Sequence, residues 1–87
     1  MARSRKAIKS LRSAEHRALC ALLVAARRKA GLNQNDVAER LGRPQSYVAK
    51  YEGGERRVDV VEFLQIARAL DTEPIRLLRA LMKARTL

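Results

Sequence analysis

Few side chains in this 87-residue chain have the types and spacing to do chemistry. His16 and Cys20 stand four residues apart, which puts two side chains on one face of a helix. Such a pair can share a metal ion or form a thiolate–imidazole couple. Two ligands do not close a zinc site, and no third group orients them. A partly buried structural cysteine beside a surface histidine is the simpler reading. With one Cys and one His in all, an intramolecular disulfide is excluded, and a one-chain zinc site nearly so. The carboxylates are not clustered either, so no acid–base or nucleophile set for an enzyme emerges, and no cofactor is implied. Gln45, Ser46 and Lys50 offer something different: an amide, a hydroxyl and an ammonium on one side of a short segment whose other side carries Val48 and Tyr51. Groups of that kind recognise a polar edge by hydrogen bonds, or else simply face solvent.

The charge says what such an edge could belong to. Nineteen Lys and Arg oppose nine Asp and Glu, a net charge of +10 with a sequence pI near 11.1. Most of the excess sits early. Residues 1–30 hold nine basic groups and the single acid Glu15, whereas residues 31–87 hold ten basic and eight acidic groups. A polyanionic partner is the natural inference. The stretch 1–12, with Arg3, Arg5 and Lys6, lacks a firm apolar pattern and reads as a basic, flexible arm. It is either a solubilising tail or a phosphate-seeking arm, and charge alone does not choose. Aromatic residues make up only 3% of the chain, which argues against single-strand binding on stacking platforms. The longest apolar stretch, Ala18 to Ala26, is far short of a membrane span and runs into Arg27 and Arg28. No apolar signal core follows Met1, so the expected location is the cytoplasm.

The elements that must position these groups are all helical. Hydrophobic content of 47% suffices for one small core. Ser13 can cap a first helix with the apolar stripe Leu19, Leu22, Leu23, Ala26 and Ala30, and Gly31 can take the left-handed stop. Asn33 and Asp36 form a capping-box-like start to a second helix, which Gly42 ends. A third starts around Pro44 and ends at Gly53-Gly54. Asp59 with Glu62 caps a fourth, with a stripe of Val60, Phe63, Leu64, Ala67 and Leu70. Glu73-Pro74 opens a fifth over about residues 74–84. No segment alternates like a strand and no repeat is present. The expected fold is all-α, with five short helices in one domain over residues 13–87.

Two short helices joined by a tight turn, over about residues 34–52, make a helix-turn-helix, in which the first helix braces the second and the second presents its outer face to the major groove. Here the sequence resembles the lambda-repressor-like, XRE-type helix-turn-helix domain. The resemblance rests on the run Arg27-Arg-Lys-Ala-Gly-Leu-Asn-Gln-Asn-Asp-Val-Ala-Glu-Arg-Leu-Gly42, on Gln45-Ser-Tyr-Val-Ala-Lys-Tyr-Glu-Gly-Gly54, and on Asp59 to Leu70. It covers roughly residues 15–82, and the pieces are in register.

The resemblance implies a role at each matching position. Gln45, Ser46 and Lys50 fall on base-reading positions, Gln suited to adenine and Lys to guanine acceptors. Asn33 and Gln34 match backbone-contacting positions, and Gln34 also braces the recognition helix. Arg43 and Tyr47 lie at the groove edge, Tyr47 against sugar–phosphate or a thymine methyl. Arg56 and Arg57 fall where the family places backbone or minor-groove cations. Arg27 and Glu52 match a structural ion pair. Three positions depart from the pattern: Pro44 lacks a capping side chain, Gly53 replaces a polar residue, and Asp71 stands where Gly usually ends the fourth helix, which asks a left-handed conformation of Asp.

Ile75, Leu78, Leu81 and Met82 exceed what a small core needs from a terminal helix, and serve either as core or as a dimer seam. The leading expectation is a sequence-specific transcriptional regulator, repressor or activator, that binds double-stranded DNA as a homodimer, like the small phage, mobile-element and restriction–modification regulators it resembles. Its operator would be an inverted repeat with half-site centres roughly 34 Å apart. The competing expectation is an antitoxin or antiactivator that keeps the fold but acts through a protein partner.

Overall fold

The structure, a computed structural model, describes residues 13–85. The basic arm, with Arg3, Arg5 and Lys6, lies outside them. Five helices and no strand run through the described residues: α1 (Ala14–Lys29), α2 (Gln34–Leu41), α3 (Gln45–Glu52), α4 (Val60–Ala69) and α5 (Pro74–Arg85). None is long and apolar enough to cross a membrane.

Local chemistry sets most of the boundaries. Ser13 Oγ accepts from the His16 amide at 3.0 Å and starts α1. Asn33 and Asp36 form a complete capping box at α2, and Asp59 and Glu62 do the same at α4. Each side chain there accepts the other's backbone N–H, so two donors that the helix leaves orphaned are satisfied. Gly42 takes φ +67° at the end of α2, the turn between the two helices of the motif. Pro44 is the N-cap of α3, with no side-chain cap. Its carbonyl still accepts from the Tyr47 amide at 3.0 Å. Asp71 is the only described non-glycine residue with positive φ, at 55°. Arg40 offsets that strain: its Nη1 donates to Ala69 O at 2.8 Å and to Asp71 Oδ2 at 3.2 Å, tying α2 to the end of α4.

In the packing, α1 lies chiefly against α5 and also touches α3, α2 lies against α3 and α4, and α4 meets α5. The core is built from Leu23, Val37, Val48, Tyr51, Ile66 and Leu70, with Phe63, Ala67 and Leu77 around them. Two stripe assignments change. Val60 is 74% exposed, because as the first residue after the cap it points away from the face on which Phe63, Ile66, Ala67 and Leu70 meet the core. Ala30 is exposed as the C-cap of α1.

Candidate nucleic-acid interface

The motif's two helices form a bracket. α2 holds α3 through Val37 and Ala38 on one side and Val48 and Tyr51 on the other, all buried. The opposite side of α3 is left bare, and Gln45, Ser46 and Lys50 are exposed there. Arg43, in the turn before α3, is also exposed, as is Arg57 in the loop after it, while Arg56 is half-buried. Exposed cations therefore lie at both ends of an outward-facing polar helix.

A run of hydrogen bonds joins this face to the interior. Arg27 on α1 grips Glu52 at the end of α3 with two bonds, Nε to Oε2 at 2.7 Å and Nη2 to Oε1 at 3.1 Å, and both side chains are largely buried. Arg27 Nη1 also donates to Leu32 O at 3.0 Å, fixing the loop into α2. The hydrogen bond with Glu52 holds the Arg27 guanidinium above its already high range. Glu52 Oε1 in turn accepts from Gln34 Nε2 at 2.9 Å, and Gln34 Oε1 accepts from Gln45 Nε2 at 2.6 Å. Each member is oriented by the one behind it, so the outermost amide is aimed by a buried, charge-assisted pair. Asn33 has its Oδ1 engaged in the α2 capping box, which leaves its amide donors for any outside partner.

Tyr47 is not at the edge of the exposed face. It is 8% exposed, and its ring meets Tyr51 edge-on at 5.5 Å between centroids. The guanidiniums of Arg43 and Arg56 lie over the Tyr47 ring, 4.6 and 4.8 Å from its centroid. Arg56 is further held by Glu62 Oε2 at 2.8 Å. Burial, then the nearby Glu62 carboxylate, push the Tyr47 phenol up. Glu62, read from sequence only as a cap, thus also governs a cation; that second role joins two elements and leaves no local signal.

His16 and Cys20 line a pocket with Glu52, Gly53 and Gly54 at the end of α3. Cys20 is buried against Gly54, with His16 Nε2 4.0 Å from its sulfur. Burial pushes the thiol up, away from thiolate character. Among the described residues no group of three His, Cys, Asp or Glu side chains could hold a metal ion.

A family model for the helix-turn-helix domain matches residues 18–81. An XRE-family-like protein from Pseudomonas syringae pv. tomato is 47% identical, covering 88% of this chain and 94% of that one, with a TM-score of 0.80. The chain belongs to the XRE family of helix-turn-helix DNA-binding regulators. The restriction–modification controller protein C.AhdI from Aeromonas hydrophila is 37% identical over 75% of this chain and 98% of that one, with a TM-score of 0.69. The controller protein C.Esp1396I, solved as a tetramer on its natural 35-base-pair operator, shares the fold at 18% identity, covering 83% of this chain and 95% of that one at TM-score 0.75. No curated protein sequence matches this XRE-family chain significantly.

Proposed function

We propose that this XRE-family protein is a sequence-specific transcriptional regulator that lays α3 in the major groove and binds an inverted-repeat operator as a homodimer. The hydrogen-bonded run from Arg27 through Glu52 and Gln34 to Gln45 carries the reading. A glutamine reads adenine with one donor and one acceptor. Gln45 uses one Nε2 hydrogen on Gln34, and its second hydrogen and its Oε1 remain for the base edge. Its orientation is fixed before DNA arrives, so less side-chain freedom is lost on binding. Lys50, five residues further along and exposed, supplies a donor for guanine acceptors, and Ser46 a hydroxyl for either base.

Asn33, Gln34, Arg43, Arg56 and Arg57 are assigned to the sugar–phosphate backbone, which sets register without reading sequence. The arm with Arg3, Arg5 and Lys6 adds unspecific attraction. A single motif reads one half-site, so a second subunit is required, and α5 supports one. Ile75, Leu78 and Met82 are 53%, 41% and 63% exposed, and Leu81 is half-buried beside them. This is an apolar stripe that a monomer gains nothing by displaying. The 37% identity to the restriction–modification controller protein C.AhdI supports a regulatory role.

The test is selection of bound sites from a random duplex pool. The expected product is an inverted repeat whose half-site centres lie roughly 34 Å apart. Recovery of no enriched sequence overturns sequence-specific binding, and recovery of an unpaired half-site overturns the symmetric dimer.

A further inference from the structure

Arg43 and Arg56 come from opposite ends of α3, one from the turn before it and one from the loop after it, yet both reach the same ring. Two guanidiniums repel, so something must hold them together. Tyr47 supplies the negative face of its ring to both. Glu62 adds a carboxylate to Arg56 at 2.8 Å, and Arg57 O accepts from Arg56 Nη1 at 3.0 Å. Glu62 is itself fixed, since its other oxygen accepts from the Asp59 amide at 3.0 Å in the α4 capping box. Arg43 has the ring as its side-chain anchor, while its backbone N–H donates to Ala38 O at 3.0 Å. At 8% exposure, Tyr47 has almost no surface with which to touch DNA itself.

We propose that Tyr47 is a positioning residue for DNA binding: its buried ring is the platform on which Arg43 and Arg56 are held as a pair of cations facing the sugar–phosphate backbone. The inference rests on the DNA-binding reading above and deepens it. A free arginine loses much rotamer freedom when it grips a phosphate, and one already stacked has less to lose. The platform favours arginine, because a flat guanidinium stacks on the ring as well as being drawn to its face, whereas a lysine ammonium is only drawn to it. It is also blind to sequence, since phosphate contacts are the same on every duplex.

The test measures binding of the full chain to the selected operator duplex and to a random duplex over a salt series, with a thermal melt of each variant. Tyr47→Phe keeps the ring and is expected to bind as the parent does. Tyr47→Leu should lose roughly tenfold in affinity on both duplexes. Its log–log salt slope should shrink by about one to two. The double variant Arg43→Lys/Arg56→Lys, which changes one exposed and one half-buried side chain and no charge, should show the same loss, and adding Tyr47→Leu to it should cost nothing more. Unchanged affinity in the double lysine variant overturns the proposal, even if Tyr47→Leu does not fold. Loss confined to the operator also overturns it, because Tyr47 would then be reading bases. A parent chain that binds neither duplex fails the broader reading instead; a parent that binds, with variants that match it, fails this inference alone.

Discussion

At the scale of single residues, the Arg27–Glu52 pair matters most, because it is both structural and the root of the run that aims Gln45. Removing one partner leaves the other charge buried and unpaired. Arg27→Met is expected to cost about 3 kcal/mol of stability, read as a shift in the denaturant midpoint, and Glu52→Leu added to it should recover much of the loss. Tyr51 makes the opposite case. Its ring is fully buried, and its hydroxyl has no hydrogen-bond partner. Tyr51→Phe is therefore expected to stabilise the fold by about 1 kcal/mol. Burial also pushes the Tyr51 phenol well above its ordinary range, and pushes the Tyr47 phenol and the Cys20 thiol up. These groups hold their protons more tightly folded than unfolded. The stability they contribute is complete at neutral pH and is lost as pH rises above about 9, where the unfolded chain starts to release the protons. Melting temperature followed from pH 8 upward should fall there, and less steeply in Tyr51→Phe.

The two tyrosines also mark what the sequence could and could not reveal at this scale. They stand four apart on one helix, so 3.6-residue periodicity places both on the face shared with Val48, and the structure follows the spacing. The resemblance implied Tyr47 at the groove edge, whereas the structure buries its ring beside Tyr51. The links from Glu52 to Gln34 and from Gln34 to Gln45 span 18 and 11 residues and leave no mark in any local pattern.

At the scale of elements, the sequence was most legible where the physics is local. Caps involve residues three apart, so Ser13, Asn33 with Asp36, and Asp59 with Glu62 could be read directly. Asp59→Ala should cost about 1 kcal/mol in thermal or chemical unfolding. It should also loosen Arg56, whose carboxylate partner Glu62 belongs to that box. Gly42→Ala meets no neighbouring atom but forces a side chain into φ +67°, and about 1 kcal/mol is again expected. Val60 was harder, because a first-turn residue belongs to a face that only the docking of the helix defines. Asp71 in a left-handed conformation was readable as a departure, but its support by Arg40 was not, since that contact spans 31 residues.

At the scale of the whole molecule, the charge of +10 acquires a division of labour. Arg27 is used internally against Glu52, Arg40 braces α4, and Arg43 and Arg56 flank α3 over one ring. Deleting residues 1–12 should weaken binding to all duplexes alike and flatten its salt dependence. The exposed stripe on α5 makes a separate prediction: Leu78→Glu with Met82→Glu should yield a folded monomer by sedimentation, with operator affinity lost and the circular dichroism spectrum kept. The central claim is that the outer face of α3 reads base sequence. It is tested most directly by the ratio of affinities for the selected operator and for random duplex, measured at one salt concentration in the parent chain and in Gln45→Ala/Lys50→Ala. This ratio is expected to collapse by a factor of roughly ten to a thousand while random-duplex binding changes little. An unchanged ratio in a folded double variant would contradict the claim.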